Sequence, residues 1–197
     1  YSATQSTRTT TGKNRHDKII KVMRKIRGVL PMTAAVQSTN PDVLKNIKRS
    51  NIKLEAYTKI QEEVLAQGMQ AYGELILCMP GETLESFMTS VDGLLDTGVK
   101  RVSAHQLMLL HGAPLNNPDQ RAHWQFDTRF RVVARNIGNY TGEPIVETEE
   151  IVVDTPDFPF SDYLHARVFH LLLTVYFYEG NFEEAFALAQ QHGVKPF

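Results

Sequence analysis

Short apolar segments alternate with helices that carry their own start and stop signals, and this alternation constrains the fold more than any other feature of the 197-residue chain. Residues 32–38 (Met-Thr-Ala-Ala-Val-Gln-Ser) read as a small, buried strand ending in polar residues. Asn40 then caps and Pro41 opens a helix with Val43, Leu44 and Ile47 facing inward. A second helix starts at Leu54, with Tyr57, Ile60, Val64 and Leu65 on one face, and Gly68 stops it. Residues 70–78 end in the unbroken apolar run Leu75-Ile76-Leu77-Cys78, the signature of a parallel strand covered on both faces. Pro80-Gly81 breaks the chain there, and Thr83 caps a helix whose stripe is Leu84, Phe87, Met88, Val91, Leu94 and Leu95, closed by Gly98. Residues 99–110 return as a strand.

Repeated crossovers of this kind imply an α/β fold with a parallel sheet and right-handed connections. A closed eight-fold barrel takes roughly 200 residues or more, whereas these elements occupy only about residues 17–115, so a partial, half TIM-type barrel is expected over residues 1–118. A helix over residues 17–27 opens it, with Ile19, Ile20, Met23 and Ile26 inward and a basic outer face. Residues 119–197 read as a mostly helical C-terminal extension: an aromatic and basic stretch at 123–140, a strand candidate at 145–153, and helices at 162–179 and 182–192.

Composition excludes several functions. With 21 Lys plus Arg against 22 Asp plus Glu, nothing draws the chain to nucleic acid, and the basic helix face lacks interleaved aromatics. The most apolar run, residues 168–178, is too short to cross a membrane. A single cysteine, Cys78, rules out an internal disulfide and any Cys-only metal or iron-sulfur site within one chain, and fits a cytoplasmic protein. A first residue that is Tyr rather than Met is expected of a truncated or processed chain.

Active sites of parallel α/β folds lie at the C-terminal ends of the strands, which selects Gln37-Ser38, residues 78–83 and residues 105–112. Each is weak alone. A Pro-Gly turn before a helix is ordinary punctuation, and Cys78 without a partner reads as a small buried hydrophobe. No ligand set is completed around His105 and His111, and His165 and His170, five apart on a helix, read as packing residues.

Taken together and in order, Val36-Gln37-Ser38, then Val43-Leu44-Lys45-Asn46-Ile47-Lys48-Arg49-Ser50-Asn51-Ile52, then Glu74-Leu75-Ile76-Leu77-Cys78-Met79-Pro80-Gly81-Glu82-Thr83 resemble the radical S-adenosylmethionine (SAM) superfamily, in particular its cobalamin-binding subgroup. The resemblance implies that the first segment ends the fourth barrel strand, that the Pro-Gly-Glu-Thr segment ends the fifth, and that residues 101–110 form the sixth. It also implies a parent enzyme with SAM and a four-iron four-sulfur cluster, and leaves cobalamin open as a further cofactor. The cluster-binding Cys-x-x-x-Cys-x-x-Cys loop is absent, so no cofactor is expected on this chain alone. The expected role is the SAM-facing later strands of such an enzyme, inactive alone; the alternative is a non-catalytic binding or assembly module that kept the fold.

By the same resemblance Gln37 and Ser38 face the ribose and Arg49 pairs with the SAM carboxylate. Backbone from Cys78 through Gly81 and Glu82, and from Leu107 to Leu109 and Leu110, borders the adenine. Cys78 stands where the family usually has Gly, and Lys13 and Asn14 are placed toward substrate or cofactor. The expected partner is the missing N-terminal part of the same enzyme. Unpaired sheet edges are further expected to cause self-association or to be covered by the Ser/Thr-rich N-terminal segment.

Overall fold

A computed structural model describes residues 9–10, 21, 25, 32–49, 54–66, 71–140 and 142–194. Its main sheet is wholly parallel with strand order β1-β2-β3-β4, formed by Thr9–Thr10, Met32–Gln37, Ala71–Leu77 and Arg101–Gln106. β1 comes from the Ser/Thr-rich N-terminal segment and pairs with Met32 and Thr33 at the start of β2. The expected helix over residues 17–27 lies outside the described residues except for Lys21 and Lys25, which are helical and exposed. Lys13 and Asn14 also lie outside them.

The crossovers follow the cap signals. α1 (Pro41–Asn46) begins where the Asn40 side chain accepts the Asp42 N–H at 2.9 Å. α2 (Leu54–Ala66) buries Tyr57 and Val64, whereas Leu65, expected on the same face, is 37% exposed. α3 (Leu84–Leu95) starts with a capping box between Thr83 and Ser86. It buries Phe87, Val91 and Leu94 against the sheet, with Leu84, Met88 and Leu95 partly buried beside them.

The last strand is shorter than the sequence suggests, because the chain changes partner after Gln106. Leu107 and Leu109 remain extended but bond to a different element: the Val152 N–H donates to the Leu107 carbonyl at 2.9 Å, and the Leu109 N–H donates to the Glu150 carbonyl at 3.0 Å. Met108 and Ile151 form an antiparallel bridge between these bonds.

The element they meet corrects the expectation of a mostly helical extension. After the short α4 (Pro118–His123), β5 (Asp127–Tyr140) and β6 (Glu143–Asp154) form a long antiparallel ribbon. The sequence hides β5 because its outer part buries neither face: Phe130, Val132 and Ile137 are 70%, 58% and 66% exposed, so the apolar-in, polar-out alternation of a half-buried strand is never written. The backbone ladder joins the two strands, and one cross-strand ion pair, Arg131 with Glu149, lies directly opposite in register. Its base is buried through Ile151, Val152 and Val153.

α5 (Phe160–Leu172) packs on α3, β6 and the sheet and runs on as a π-helical segment, Leu173–Tyr178, before α6 (Glu183–Gln191). The Thr174 hydroxyl donates to the His170 carbonyl at 2.8 Å, the kind of local bond that competes with the helical ladder. Among the described residues no helix is long and apolar enough to cross a membrane.

Candidate functional site

Because β2, β3 and β4 are parallel neighbours, their C-terminal ends open on the same side of the sheet, and the segments selected from the sequence meet there. β2 ends in a bulge at Gln37, which is half-buried and adopts a left-handed φ of 69°. Ser38 is fully buried; its Oγ accepts the Asn40 N–H at 3.1 Å and shares a hydrogen bond with Glu82. Glu82 is 1% exposed, and burial raises its carboxyl above the ordinary value against the opposing effect of bonds from Ser38 and Ser86. The Ser86 hydroxyl donates to Glu82 Oε1, so the end of β2 and the first turn of α3 are tied through one buried carboxyl. One turn along α3, Ser90 Oγ accepts the Thr39 N–H at 3.1 Å and lies 2.8 Å from the Thr39 hydroxyl.

The end of β3 is a tight reversal. The Glu82 N–H donates to the Met79 carbonyl at 2.9 Å across Pro80 and Gly81, and Gly81 has φ 79°, the geometry of a type II turn with Pro second and Gly third. Asn46, from the end of α1, donates its Nδ2–H to the Pro80 carbonyl at 3.0 Å. The same Nδ2 lies 2.7 Å from where a β-carbon on residue 81 would sit. Cys78 is fully buried with φ 60°. That backbone explains why a glycine suits the position, independently of close approach to a ligand. Burial, then the carboxylates Asp154 and Glu82, push the Cys78 thiol up to about 12.

The third segment is held by residues that the sequence did not reveal. Buried Gln106 receives a hydrogen bond from Arg131 of β5 and donates one to the Tyr163 hydroxyl of α5. Glu150, whose carbonyl receives Leu109, binds Arg121 of α4 through two nitrogens at 3.0 and 2.5 Å and the Thr128 hydroxyl at 2.7 Å. The Arg121 bond holds its carboxyl down to about 2 against the opposing effect of desolvation. These partners come from distant elements, and no local spacing announces them. Leu107 and Leu109 are buried, and Leu110 is 57% exposed.

Arg49, expected to pair with the SAM carboxylate, donates through Nη2 to the Ala35 carbonyl in β2. His170, read as a packing residue, places Nε2 3.1 Å from the Ala104 nitrogen and 3.0 Å from the Val102 carbonyl oxygen, alongside β4. Among the described residues no group of three His, Cys, Asp or Glu side chains could hold a metal ion.

No family model matches the chain. It is 30% identical over 199 residues to the cobalamin-dependent radical SAM methyltransferase TokK of Streptomyces tokunonensis, covering 98% of this chain and 29% of that protein. It is 30% identical over 152 residues to the 2-(S-pantetheinyl)-carbapenam-3-carboxylate methyltransferase of Streptantibioticus cattleyicolor, covering 73% of this chain and 21% of that protein. The chain thus spans less than a third of these relatives' lengths. Two solved structures of the radical SAM methyltransferase TsrM from Kitasatospora setae match more distantly. One, with tryptophan and a SAM analogue bound, has a TM-score of 0.43 and 13% identity over 59% of this chain and 24% of that one. The other, with cobalamin and a [4Fe-4S] cluster bound, has a TM-score of 0.41 and 17% identity over 64% of this chain and 23% of that one. Likeness at that level carries no argument. Aligned over 98% of its length with one such enzyme, the chain is a relative of the cobalamin-dependent radical SAM methyltransferases, the subgroup that its strand-end segments resemble.

Proposed function

We propose that this chain supplies the SAM-facing wall of a cobalamin-dependent radical SAM methyltransferase. The observation that carries the reading is the meeting of three strand ends on one side of a parallel sheet, each ending in a backbone fixed by buried partners. In this arrangement the Gln37 amide and the backbone of Cys78 to Gly81 and Leu107 to Leu109 border the nucleoside. Ser38 and Glu82 act from beneath by holding the turn, and Arg49, whose Nη2 donates to the Ala35 carbonyl, is directed at the SAM carboxylate.

The residues present do not fit the iron-sulfur cluster. Its ligands are thiolates, and the single cysteine is fully buried with its thiol pushed up to about 12. No step of the chemistry is therefore assigned to this chain beyond binding, orienting and excluding water. One relative's name gives it a pantetheinyl thioether as substrate, and we take an acceptor with a pantetheinyl arm as the first substrate class to test.

The test is calorimetric titration of SAM into a complete enzyme containing this chain. Gln37→Ala and Arg49→Ala are expected to weaken binding about tenfold each, the scale of one lost hydrogen bond to a charged or buried group. Unchanged affinity in both variants removes these residues from the site. The 197-residue chain by itself, treated with iron and sulfide without oxygen, is expected to stay colourless and release no 5′-deoxyadenosine.

A further inference from the structure

β4 pairs with β3 along one side, from Arg101 to Gln106. Its other side carries backbone groups that a further strand would take up. In a parallel ladder one residue of an incoming strand serves two of them: its N–H donates to one carbonyl, and its own carbonyl accepts the N–H two residues further on. For β4 such a pair is the Val102 carbonyl and the Ala104 N–H, on two residues that are both buried. What meets the pair is a single imidazole nitrogen of α5. His170 Nε2 lies 3.0 Å from the Val102 carbonyl oxygen and 3.1 Å from the Ala104 nitrogen.

One nitrogen cannot serve both groups at once. With the ring proton on Nδ1, Nε2 accepts the Ala104 N–H; with the proton on Nε2, it donates to the Val102 carbonyl. A neutral ring has both forms open to it. An imidazolium carries protons on both nitrogens and only donates. Charging His170 therefore keeps the bond to Val102 and takes the imidazole acceptor away from Ala104.

The surroundings favour the neutral ring. Burial disfavours the charged form most, the Val102 carbonyl opposes it, and Arg167 on α5 together with Arg101 and His105 on β4 resists a further positive charge. The balance holds the imidazole below its ordinary 6.5. Tyr178, at the end of the π-helical segment, sets its ring 6.2 Å from the imidazole and stays neutral, its hydroxyl pushed up to about 12 by burial.

We propose that His170 is a pH-sensitive latch on the outer edge of β4, closed while the neutral imidazole stands in for a strand residue and opened when protonation removes the acceptor from the Ala104 N–H. Opening loosens the strand two residues before Gln106, where the chain leaves the sheet for the ribbon. Nothing in the latch depends on what the strand ends bind.

Hydrogen exchange of a complete enzyme containing this chain reads the latch, with single amides resolved by electron-transfer fragmentation and rates corrected for the intrinsic pH dependence of exchange. Between pH 7.5 and pH 4.5 the protection of the Ala104 N–H is expected to fall about tenfold, the scale of one lost hydrogen bond, while the amides of α3 keep theirs. His170→Gln supplies a side-chain amide that donates and accepts without titrating, so its Ala104 protection is expected to be equal at the two pH values. His170→Leu supplies neither function and is expected to show the tenfold loss already at pH 7.5; if that variant does not fold, the wild type and His170→Gln decide. An Ala104 protection independent of pH in the wild type, a fall in His170→Gln as large as in the wild type, wild-type protection in His170→Leu, or an equal fall across α3 overturns the inference.

Discussion

Replacing Gly81 by Ala tests the turn at the centre of the candidate site. Two costs can be read from the structure. A non-glycine residue held at φ 79° pays about 1–2 kcal/mol for the left-handed backbone. The new methyl also needs the space 2.7 Å from Asn46 Nδ2, and moving that amide breaks its 3.0 Å bond to the Pro80 carbonyl, worth about 1 kcal/mol. Gly81→Ala is therefore expected to destabilise the chain by about 2–3 kcal/mol, and Asn46→Ala by about 1 kcal/mol. Because the amide bond is already lost in the glycine variant, the double variant should cost no more than Gly81→Ala alone, leaving a coupling of about 1 kcal/mol. Urea unfolding followed by circular dichroism and the fluorescence of Trp124 measures all four proteins. Simple additivity, or a Gly81→Ala cost under about 0.5 kcal/mol, would show that the Asn46 contact and the backbone strain do not act as described.

Cys78→Val places a β-branched side chain at φ 60° and is expected to destabilise by at least 2 kcal/mol, whereas Cys78→Gly exchanges backbone strain for lost packing and should stay within about 1 kcal/mol of wild type, both read by urea midpoints. With its thiol at about 12, native Cys78 should react with Ellman's reagent at pH 8 only as fast as the chain unfolds. Burial lowers the folded pKa of His170 below 6.5, so its contribution is present above pH 6.5 and is lost as pH falls through the folded value; thermal unfolding should lose stability below pH 6.5 in wild type and less so in His170→Gln. Glu150 is depressed from 4.5 to about 2, so its contribution is lost only as pH falls below 4.5 toward 2, and Glu150→Gln should flatten the melting-temperature profile in that window.

The parallel core was legible because its signals are local. Asn40-Pro41, Thr83, and the unbroken Leu75 to Cys78 run each write an element boundary within a few residues. The strand-end site followed from topology, since parallel neighbours must end on one side. The ribbon and its links were not legible. Phe130 and Val132 are exposed in β5, so no buried face imposes a period on the sequence. Gln106, Arg131 and Tyr163 meet across separations that no window spans. Glu74 and His105 are neighbours only through the register of β3 and β4, which no local spacing announces.

The pairing of Leu107 and Leu109 with β6, together with His170 beside Val102 and Ala104, gives the sheet a direction of growth. Beyond β4, the positions where another strand would hydrogen-bond are occupied by the protein's own helix and ribbon. On the opposite flank, among the described residues, β1 meets β2 at Met32 and Thr33. Among the described residues, the sheet is thus closed at its β4 flank by the protein's own elements.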